Sequence, residues 1–467
     1  MAERCLKSLL LAAIVLASGC AVLEPPVPAA EPSIPAEWPL PPTTTTAATA
    51  EATADIGWRD FFTDPKLESV IELALANNRD LRVAVLNIER ARAQYGVQRA
   101  DRLPSLDANA ALARTGGSDR PVTDVYTADL AVTEFELDLF GRVRNLSESA
   151  LQRYFAQEEA RRSAQLALIA AVASAYLNLA ANQEQVRIAE ETLRTREEYY
   201  ALTAKRYELG AESALELSLA RTQVETARAE AARYAGLVAQ DKNALNLLVG
   251  AAVEPALLPE AFDESVTGLG ALPPGLPSEV LLRRPDVLAA EHQLLAANAN
   301  IGAARAAFFP KITLTGAVGT TSDELSGLFD SGTGIWSFVP KVEVPIFAGG
   351  RLRSNLGVAT AERDIALAQY EQAIQIGFQE VADALALTGT LADQRAARQA
   401  AVEAAEEGDR LSRARYRAGR DNYLVLLEAQ RTLYLAQQSL VATQLAEQAN
   451  RVTLYKVLGG GWQQGGP

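Results

Sequence analysis

The residue types that carry most metal and catalytic chemistry are nearly missing from this chain of 467 residues, which has one histidine, His292, and two cysteines, Cys5 and Cys20. Zinc-type metal sites and Cys–His catalytic pairs each need several such side chains held close together. The sequence also contains neither a nucleophile elbow nor a phosphate-binding loop. We therefore predict no enzymatic activity, no metal site and no cofactor. We interpret His292 as a solvated or partly packed residue on a helix.

Cys20 is the residue whose surroundings predict a covalent modification. Basic residues precede an apolar run over residues 9–16, and the segment 16–20 then reads LASGC. This order is typical of a secretory signal peptide, and its end resembles a bacterial lipobox, in which Cys20 becomes the lipidated first residue. The alternative is an ordinary signal peptide with a chance cysteine, because Ala17 lies where the lipobox leucine is expected. If Cys20 is lipidated, Ala21 after it favours sorting to the outer membrane, by resemblance to other lipoproteins.

Composition favours long, closely packed helices over a compact globule. Hydrophobic residues make up 49% of the chain, and many of them are alanine. The formal net charge is −14, and no basic stripe is visible. We therefore predict no nucleic-acid partner, because that function needs Lys and Arg to neutralise phosphates.

Two prolines mark places where a helical pattern changes to a strand pattern. Pro104 follows Asp80 by 24 residues, and Pro310 follows Asp286 by 24 residues. Proline lacks the N–H that a helix interior needs, and it drives the preceding residue towards extended geometry. After each proline the apolar residues recur with the period of a strand. We expect each proline to pass a helix directly into a strand.

The same order of features occurs twice along the chain. Residues 143–209 contain neither Gly nor Pro, which predicts one long helix. Gly210, which ends it, has a counterpart 209 residues later in Gly419. These matches predict two tandem repeats of helix, strand, strand, long helix and helix, in a mainly α chain with a small β part. Short motifs recur with them: Arg206-Tyr207 as Arg415-Tyr416, and RVR at 142–144 as RLR at 351–353.

The predicted organisation follows from these boundaries. Ahead of the repeats, the Pro-, Ala- and Thr-rich stretch reads as an extended tether. In order, the segments are a signal peptide (1–19), a lipid-anchored tether (20–54), a first repeat (55–255), a linker (256–277), a second repeat (278–459) and a tail (460–467). The first repeat has predicted strands at about 104–115 and 125–140 and a helical hairpin at 143–249. The second repeat has predicted strands at about 310–321 and 335–347 and a helical hairpin at 351–458.

The second predicted strand changes phase near Thr133. Before this residue the apolar positions are even-numbered, as at Leu130 and Val132, and after it they are odd-numbered, as at Phe135 and Leu137. A one-residue slip in a strand moves every following side chain to the other face. We therefore predict a β-bulge or a change of environment near Thr133.

The strands predict that several copies of the chain assemble. Each is about ten residues long, which spans a bilayer when tilted. One chain supplies only four strands, whereas membrane sheets must close and the smallest barrels need about eight. Two chains would close eight strands and three would close twelve; a transport role favours three, because the wider barrel leaves room for a lumen. The alternative is a soluble β-hairpin domain on a coiled-coil stalk.

Several motifs carry a family resemblance: DPKL at 64–67, ALANN at 74–78, RPD at 284–286, ARAAFFPKITLTG at 304–316 and LYKVLGGGW at 454–462. Together they resemble the TolC-type outer-membrane factors, and most of all the lipoprotein branch of NodT or OprM type that serves RND efflux pumps. The resemblance implies a homotrimer with a twelve-stranded barrel in the outer membrane, continuous with a periplasmic α-helical barrel. It also implies three kinds of partner: a periplasmic adaptor, an inner-membrane pump and outer-membrane lipid. Alternatives are a type I secretion exit duct and a periplasmic lipoprotein adaptor or scaffold.

The candidate gate lies where the helical hairpins turn. In a trimer Asp421 would form a ring of three carboxylates, and rings of charge control passage through narrow pores. Ser213 predicts a helix cap, and its counterpart by spacing is Asn422, so Asp421 is not needed as a cap. The other interpretation of Asp421 is a helix-start residue favoured by the helix dipole. The remaining candidate tip residues are Arg206, Tyr207, Glu212, Arg415, Tyr416 and Arg420.

Overall fold

The computed structural model describes residues 23–32, 34, 35, 38, 57–263, 266, 269 and 278–460. The predicted signal peptide, Cys20, most of the predicted tether and much of the predicted linker lie outside the described residues. So does all of the predicted tail after Gly460.

The described residues are mainly helical with one small sheet, as the sequence predicts. A single turn of 3₁₀ helix also occurs at Pro255–Leu257 and Leu325–Gly327, and a longer one at Ser278–Arg283. The helices and strands are α1 (Trp58–Phe61), α2 (Pro65–Asn77), α3 (Arg79–Ala100), β1 (Asp107–Gly117), β2 (Arg120–Leu137), α4 (Arg142–Glu208), α5 (Ala214–Val249), α6 (Pro285–Ala306), β3 (Lys311–Ser322), β4 (Gly334–Glu343), α7 (Arg351–Arg417) and α8 (Tyr423–Val457).

Corresponding elements in the two halves of the chain have similar lengths. α3 and α6 each have 22 residues, and α4 and α7 each have 67. The helices that follow, α5 and α8, have 36 and 35 residues. In both halves the order is helix, two strands, long helix and shorter helix.

Both passages from helix to strand contain a turn that the sequence pattern did not predict. α3 ends at Ala100, ahead of Pro104, and α6 ends at Ala306, ahead of Pro310. In the first turn the N–H of Leu103 donates to the carbonyl of Ala100 at 2.9 Å, an i→i−3 bond that tightens the helix end. The prediction that each helix passes directly into a strand at its proline is therefore wrong, because one turn lies between them. The residue before a proline is pushed out of helical geometry, so the α-helical hydrogen bonds stop earlier.

The four strands form one antiparallel sheet in the order β1-β2-β3-β4. The two halves of the chain meet at the β2–β3 pair, where Leu137 faces Ile312. β1 and β4 are the edges of this sheet, and each pairs with one neighbour among the described strands. All residues of β1 and β4 are exposed.

The first hairpin is tighter than the sequence suggested, since only residues 118 and 119 separate β1 from β2. The predicted strands at about 104–115 and 125–140 leave residues 116–124 as a loop, and this predicted loop is wrong over most of its length. Arg114 donates two hydrogen bonds of 2.6 Å to the carboxylate of Asp124 across the ladder. Opposite charges on facing residues stabilise a strand pair, although polar residues in a run look like a loop in the sequence.

The last residue of β4 is Glu343, four residues before the predicted end of this strand at Phe347. Pro345 lies just beyond, and proline has no N–H to donate to a ladder. Pro340 lies inside β4 opposite Leu314, and it likewise has no N–H to donate to a ladder.

A β-bulge lies at the predicted phase change and confirms that prediction. The β2–β3 register shifts between Val132 and Phe135. Glu134 has a φ of 51°, and apart from glycines it is the one described residue with positive φ. The extra residue keeps the apolar side chains of β2 on one face of the sheet on both sides of the bulge.

The register gives the sheet one largely apolar face and one more polar face. Two aromatic residues, Tyr126 and Trp336, both lie on the apolar face. With them are Ala108, Leu112, Leu130, Phe135, Leu137, Ile312, Leu314, Val318, Phe338 and Val342. The more polar face carries Asp107, Asn109, Asp129, Glu136, Thr313, Thr315, Ser337, Lys341 and Glu343.

The chain divides into two compact units, each drawing on both halves of the sequence. The first unit contains the sheet and takes the described residues within 23–32, 86–159 and 288–373. The second takes the described residues within 34–85, 160–287 and 374–460.

The core of the second unit is built around aromatic residues from distant parts of the chain. Phe61 of α1 stacks on Tyr455 of α8, with ring centroids 4.3 Å apart. Tyr176 of α4 belongs to the same cluster and is fully buried. Burial raises the pKa of Tyr455 and Tyr176, so both phenols stay neutral.

Arg284, from the RPD motif, also holds the second unit together. Its guanidinium binds the carboxylate of Asp286 at 2.7 and 3.0 Å, Glu380 of α7 at 2.7 Å, and the carbonyl of Val457 at 2.9 Å. Only 7% of this side chain is exposed. A Cβ on Gly377 would lie 3.4 Å from the guanidinium, so a larger residue there would crowd Arg284.

The described start of the predicted tether is bonded to the first unit. Asn298, which has no exposed surface, donates to Glu24 Oε1 at 3.0 Å and to the carbonyl of Pro25 at 2.8 Å. Arg305 donates to the carbonyl of Leu23 at 3.1 Å. This segment has no regular secondary structure, and side chains of α6 hold it in place.

One described helix, α4, contains an 18-residue window apolar enough to cross a membrane, with a mean hydropathy of 1.6. Within the chain 61% of it is buried, as expected for a helix that packs in a protein core.

Candidate functional site

The candidate gate residues lie at the two turns that end α4 and α7. Gly210 and Gly419 both have a φ of +70°, a conformation that favours glycine. In each turn the glycine N–H donates to the carbonyl of a tyrosine, Tyr207 or Tyr416, at 2.9 Å. The two turns therefore have the same backbone geometry, and only their side chains differ.

Each return helix begins with the cap that the sequence predicts. Ser213 accepts a hydrogen bond from the N–H of Glu216 at 3.1 Å. At the second turn Asn422 accepts one from the N–H of Val425 at 3.2 Å. Asn422 is thus the cap of α8, and the carboxylate of Asp421 is free for another contact.

Asp421 binds Arg415 across the second turn. The guanidinium donates from Nε to Oδ2 at 2.6 Å and from Nη2 to Oδ1 at 2.8 Å. These hydrogen bonds hold the pKa of Asp421 below its ordinary value of 3.8. A two-point Arg–carboxylate pair also fixes the relative orientation of the two side chains.

The corresponding pair at the first turn is looser. Arg206 and Glu212 approach to 3.8 Å, with no hydrogen bond between them. Arg206 donates instead to the hydroxyl of Tyr416 at 3.1 Å and lies 5.7 Å from the centroid of that ring. The first turn is therefore tied to α7 rather than closed on itself.

A tyrosine cluster packs beneath the turns and joins three helices. Tyr199 of α4 stacks on Tyr423 of α8 with centroids 3.9 Å apart and planes inclined by 5°. The hydroxyls of Tyr199 and Tyr416 are 3.1 Å apart. Burial raises the pKa of both Tyr199 and Tyr423. The cluster therefore stays neutral and supplies stacking and hydrogen bonds, but no charge.

Below the tyrosines lies a layer of buried polar residues that is not among the predicted site residues. Arg196 is only 5% exposed and has no ion pair with a described carboxylate. Burial lowers its pKa, and the neighbouring Tyr423 partly offsets this effect. Asp409, also buried, binds Arg413 at 2.7 Å. The signal for this layer is the helical spacing of Arg196 and the buried Thr203, which puts both side chains on one face of α4.

Other residues singled out in the sequence lie apart from this cluster. Tyr207 is 44% exposed and Arg420 is exposed, so neither packs into the tyrosine cluster. Pro104 and Pro310 belong to the other compact unit. Cys20 lies outside the described residues.

The contacts at the turns join three helix ends. An exposed ion pair and a buried aromatic stack connect the ends of α4, α7 and α8. Exposed ion pairs contribute little to stability, because water screens them and two long side chains must be ordered. The aromatic stack therefore contributes more to this junction than the ion pair does.

The chain matches the family model described as outer membrane efflux protein over residues 70–251 and 276–460. It is 46% identical to the antibiotic efflux pump outer membrane protein ArpC of Pseudomonas putida, covering 98% of this chain and 96% of that protein. It is 41% identical to the probable outer membrane lipoprotein SilC of Salmonella typhimurium, covering 98% and 99%. Among solved structures, the open state of the outer membrane channel MtrE of Neisseria gonorrhoeae superposes with a TM-score of 0.85 at 40% identity, covering 94% of this chain and 98% of that chain.

Proposed function

Because this chain belongs to the outer membrane efflux protein family, we propose that three copies form one passive duct through which an efflux pump discharges its substrates. The chain is an outer-membrane component of such a pump, as its relatives are. The duct itself needs no catalytic group, since the pump supplies the energy.

The observation that supports assembly is the sheet with two edges. β1 and β4 each pair on one side only among the described strands, and every residue of both is exposed. In hydrocarbon an unpaired backbone group costs several kcal/mol, so a membrane sheet has to close. Three copies of four strands make a closed sheet of twelve. The apolar face then meets lipid and the more polar face lines the lumen.

We also propose that the chain arose as two tandem repeats. The equal element order, the 67-residue helices α4 and α7 and the identical turn glycines support this. With three copies, the repeats would place six similar helical hairpins around the duct. These helices form the periplasmic part of the duct.

The same assembly implies partners on either side of the duct. A periplasmic adaptor would dock on the helical hairpins, and an inner-membrane pump, of RND type by the family resemblance, would deliver the substrate. A relative of this chain is described as a probable outer membrane lipoprotein. That description supports lipidation at Cys20 and anchoring in outer-membrane lipid.

The gate of the proposed duct is the pair of turns with Asp421. Threefold symmetry turns Asp421 into a ring of carboxylates, each held by Arg415 at 2.6 Å. Docking of the adaptor would pull the turns apart by breaking this pair and the bond from Arg206 to Tyr416. The duct is then closed at rest and opened by its partner.

Behaviour in detergent tests the proposal. The full chain, expressed with its own signal, should be extracted from outer membranes only by detergent. It should run as a trimer that heating converts to monomer. A variant with Cys20→Ala distinguishes the two classes of protein. A duct remains in the membrane through its strands, whereas an adaptor or scaffold held only by its lipid becomes water-soluble. A soluble monomer would therefore refute the duct.

A further inference from the structure

Two short basic motifs are not explained by the proposed duct itself. RVR begins α4 at 142–144, and RLR begins α7 at 351–353. Neither helix has an acidic residue in its first turn. Cations are unfavourable there, because the N-terminus of a helix carries a partial positive charge. Helix stability therefore does not account for arginine at these places in both halves of the chain.

The first arginine of RVR is neutralised inside the chain. Arg142 donates to the carboxylate of Glu136 at 2.6 and 2.9 Å. Glu136 lies on the more polar face of the sheet, opposite Thr313. Lys311 approaches the same carboxylate to 3.6 Å. Arg142 is therefore turned towards the more polar face, where it has an internal partner.

Arg144 is turned to the other side of α4. Successive residues of an α-helix are rotated by about 100°, so Arg144 lies about 200° from Arg142. Val143 and Asn145, which lie between these two directions on either flank of the helix, are each only 3% exposed. Neighbouring elements therefore cover both flanks, and Arg144 lies on the side of the apolar face of the sheet.

The second arginine of each motif is exposed and forms no ion pair with a described residue. The backbone N–H of Arg144 donates to Asp138 at 2.7 Å, but its guanidinium forms no such contact. Arg353 has the same place on α7, since it lies 209 residues after Arg144 and is also the third residue of its helix. Three copies of the chain would place six of these guanidinium groups around the outside of the duct.

The described start of the tether indicates where the membrane surface lies. Arg305, near the end of α6, donates to the carbonyl of Leu23 at 3.1 Å. Cys20 precedes Leu23 by three residues, which span at most about 11 Å of extended chain. The lipid proposed on Cys20 would enter the membrane, so the lipid headgroups would lie within reach of Arg305.

Arg144 and Arg305 lie beyond the same end of the sheet. Leu137, the last residue of β2, pairs with Ile312, the second residue of β3. Arg144 follows Leu137 by seven residues, and Arg305 precedes Ile312 by seven. The headgroup level that the tether indicates is therefore also the level of Arg144.

Exposed apolar side chains lie between the sheet and the second arginines. Leu139, just after β2, is 49% exposed. Ile346, in the corresponding connection after β4, is 90% exposed. Apolar residues followed by long basic ones suit a membrane boundary, because an arginine can lay its aliphatic stem on hydrocarbon and extend its charge to the headgroups.

We infer that Arg144 and Arg353, the boundary arginines, bind the phosphates of anionic phospholipids in the periplasmic leaflet of the outer membrane. This inference rests on the proposed duct and adds a lipid site to it. A guanidinium suits this ligand, because its planar fork donates two hydrogen bonds to a phosphate. Six such contacts at one level would hold the duct at a fixed depth in the membrane.

Binding of phosphatidylglycerol to the purified trimer tests the site. Native mass spectrometry of the full chain in detergent should show trimers that retain up to six molecules of this lipid. The double variant with Arg144→Gln and Arg353→Gln should bind it about fivefold more weakly at each site, the effect of removing one cation near an anionic membrane surface. Both side chains are exposed, so trimer yield and helical circular dichroism should stay unchanged.

Arg221→Gln combined with Arg398→Gln is the matched control. Both arginines are exposed and form no ion pair with a described residue. Arg221 lies on α5, and Arg398 lies 45 residues beyond Arg353 on α7, away from the sheet. This variant should bind phosphatidylglycerol as the unmodified chain does.

The outcomes separate the lipid site from the duct. Equal lipid binding by the double variant and the control would overturn the site and leave the duct standing. Displacement of the lipid by an equal concentration of inorganic phosphate would identify a site for free anions instead. Loss of efflux in cells with unchanged lipid binding would assign the boundary arginines to a protein partner. Absence of any trimer in the unmodified chain would overturn the duct itself.

A spin label tests the depth of Arg144 independently. In vesicles that contain phosphatidylglycerol, a label on Arg144→Cys should be reached about equally by oxygen and by a water-soluble nickel chelate. A label on Leu130→Cys, on the apolar face, should favour oxygen, and one on Arg398→Cys should favour the chelate. A label on Arg144→Cys that behaves like the one on Arg398→Cys would overturn the boundary position.

Discussion

The backbone N–H of Glu134 donates to Oγ1 of Thr315 at 3.2 Å, where the ladder between β2 and β3 is interrupted. Glu134 adopts a left-handed φ of 51° at this point. Such a conformation costs a non-glycine residue about 1 kcal/mol or more. This conformational cost is offset because the bulge keeps Phe135 on the same face of the sheet as Val132.

Deletion of Thr133 should prevent the chain from assembling in the membrane. Without the extra residue, one part of β2 turns its apolar side chains to the lumen and its polar ones to lipid. The measurement is the yield of heat-sensitive trimer in the outer membrane. Deletion of Asp323, in the connection between β3 and β4, is the control and should be tolerated. Normal trimer yield from the Thr133 deletion would show that the bulge does not set the faces.

Asp421→Asn should raise the single-channel conductance in planar bilayers severalfold. The change removes the carboxylate that Arg415 holds at 2.6 and 2.8 Å, and with it the ring of charge proposed at the gate. Glu428→Gln on α8 is the matched control, because Glu428 forms a similar exposed pair with Arg431 at 2.6 Å away from the turn. Unchanged conductance and ion selectivity in Asp421→Asn would exclude a gate at this ring.

Acid should open the duct only at low pH. The hydrogen bonds from Arg415 hold the pKa of Asp421 below 3.8, so the pair is intact at neutral pH and is lost as the pH falls through the lowered value. Conductance should therefore stay constant from pH 7 to 5 and rise below about 3.8. In Asp421→Asn this acid response should be absent. A response centred near pH 6 would implicate another group.

Arg196→Met should increase the free energy of unfolding by about 1–3 kcal/mol. The guanidinium is 5% exposed and its Nη1 has no described hydrogen-bond partner, so its desolvation is not fully offset. Chemical denaturation in detergent measures the change. Arg194→Met serves as control, because that side chain is 65% exposed and pairs with Glu191. Destabilisation by Arg196→Met would mean that the assembled protein supplies a partner for this cation.

Arg284→Ala should lower the free energy of unfolding by about 3–5 kcal/mol. It leaves Asp286 and Glu380 without their shared cation and the carbonyl of Val457 without its donor. Arg283→Ala, at the exposed neighbouring position, should change stability by less than about 0.5 kcal/mol. Equal effects of the two substitutions would rule out Arg284 as the residue that ties the start of α6 to α7 and α8.

Features that depend only on residues close together in the sequence could be predicted without the tertiary structure. The caps Ser213 and Asn422, the turn glycines and the bulge near Thr133 all follow from local backbone rules, and the structure has each of them. A glycine with positive φ or a cap three residues from its donor depends only on nearby atoms.

Tertiary structure alone decided which distant residues meet. No spacing rule pairs Tyr199 with Tyr423, joins Leu137 to Ile312 at the centre of the sheet, or buries Arg196. The loop predicted at 116–124 became strand for the same reason, because Arg114 is satisfied by a partner across the ladder. Side-chain burial and cross-strand pairing depend on the whole arrangement of helices and strands, whereas caps, turns and periodicity are fixed by the chain within a few residues.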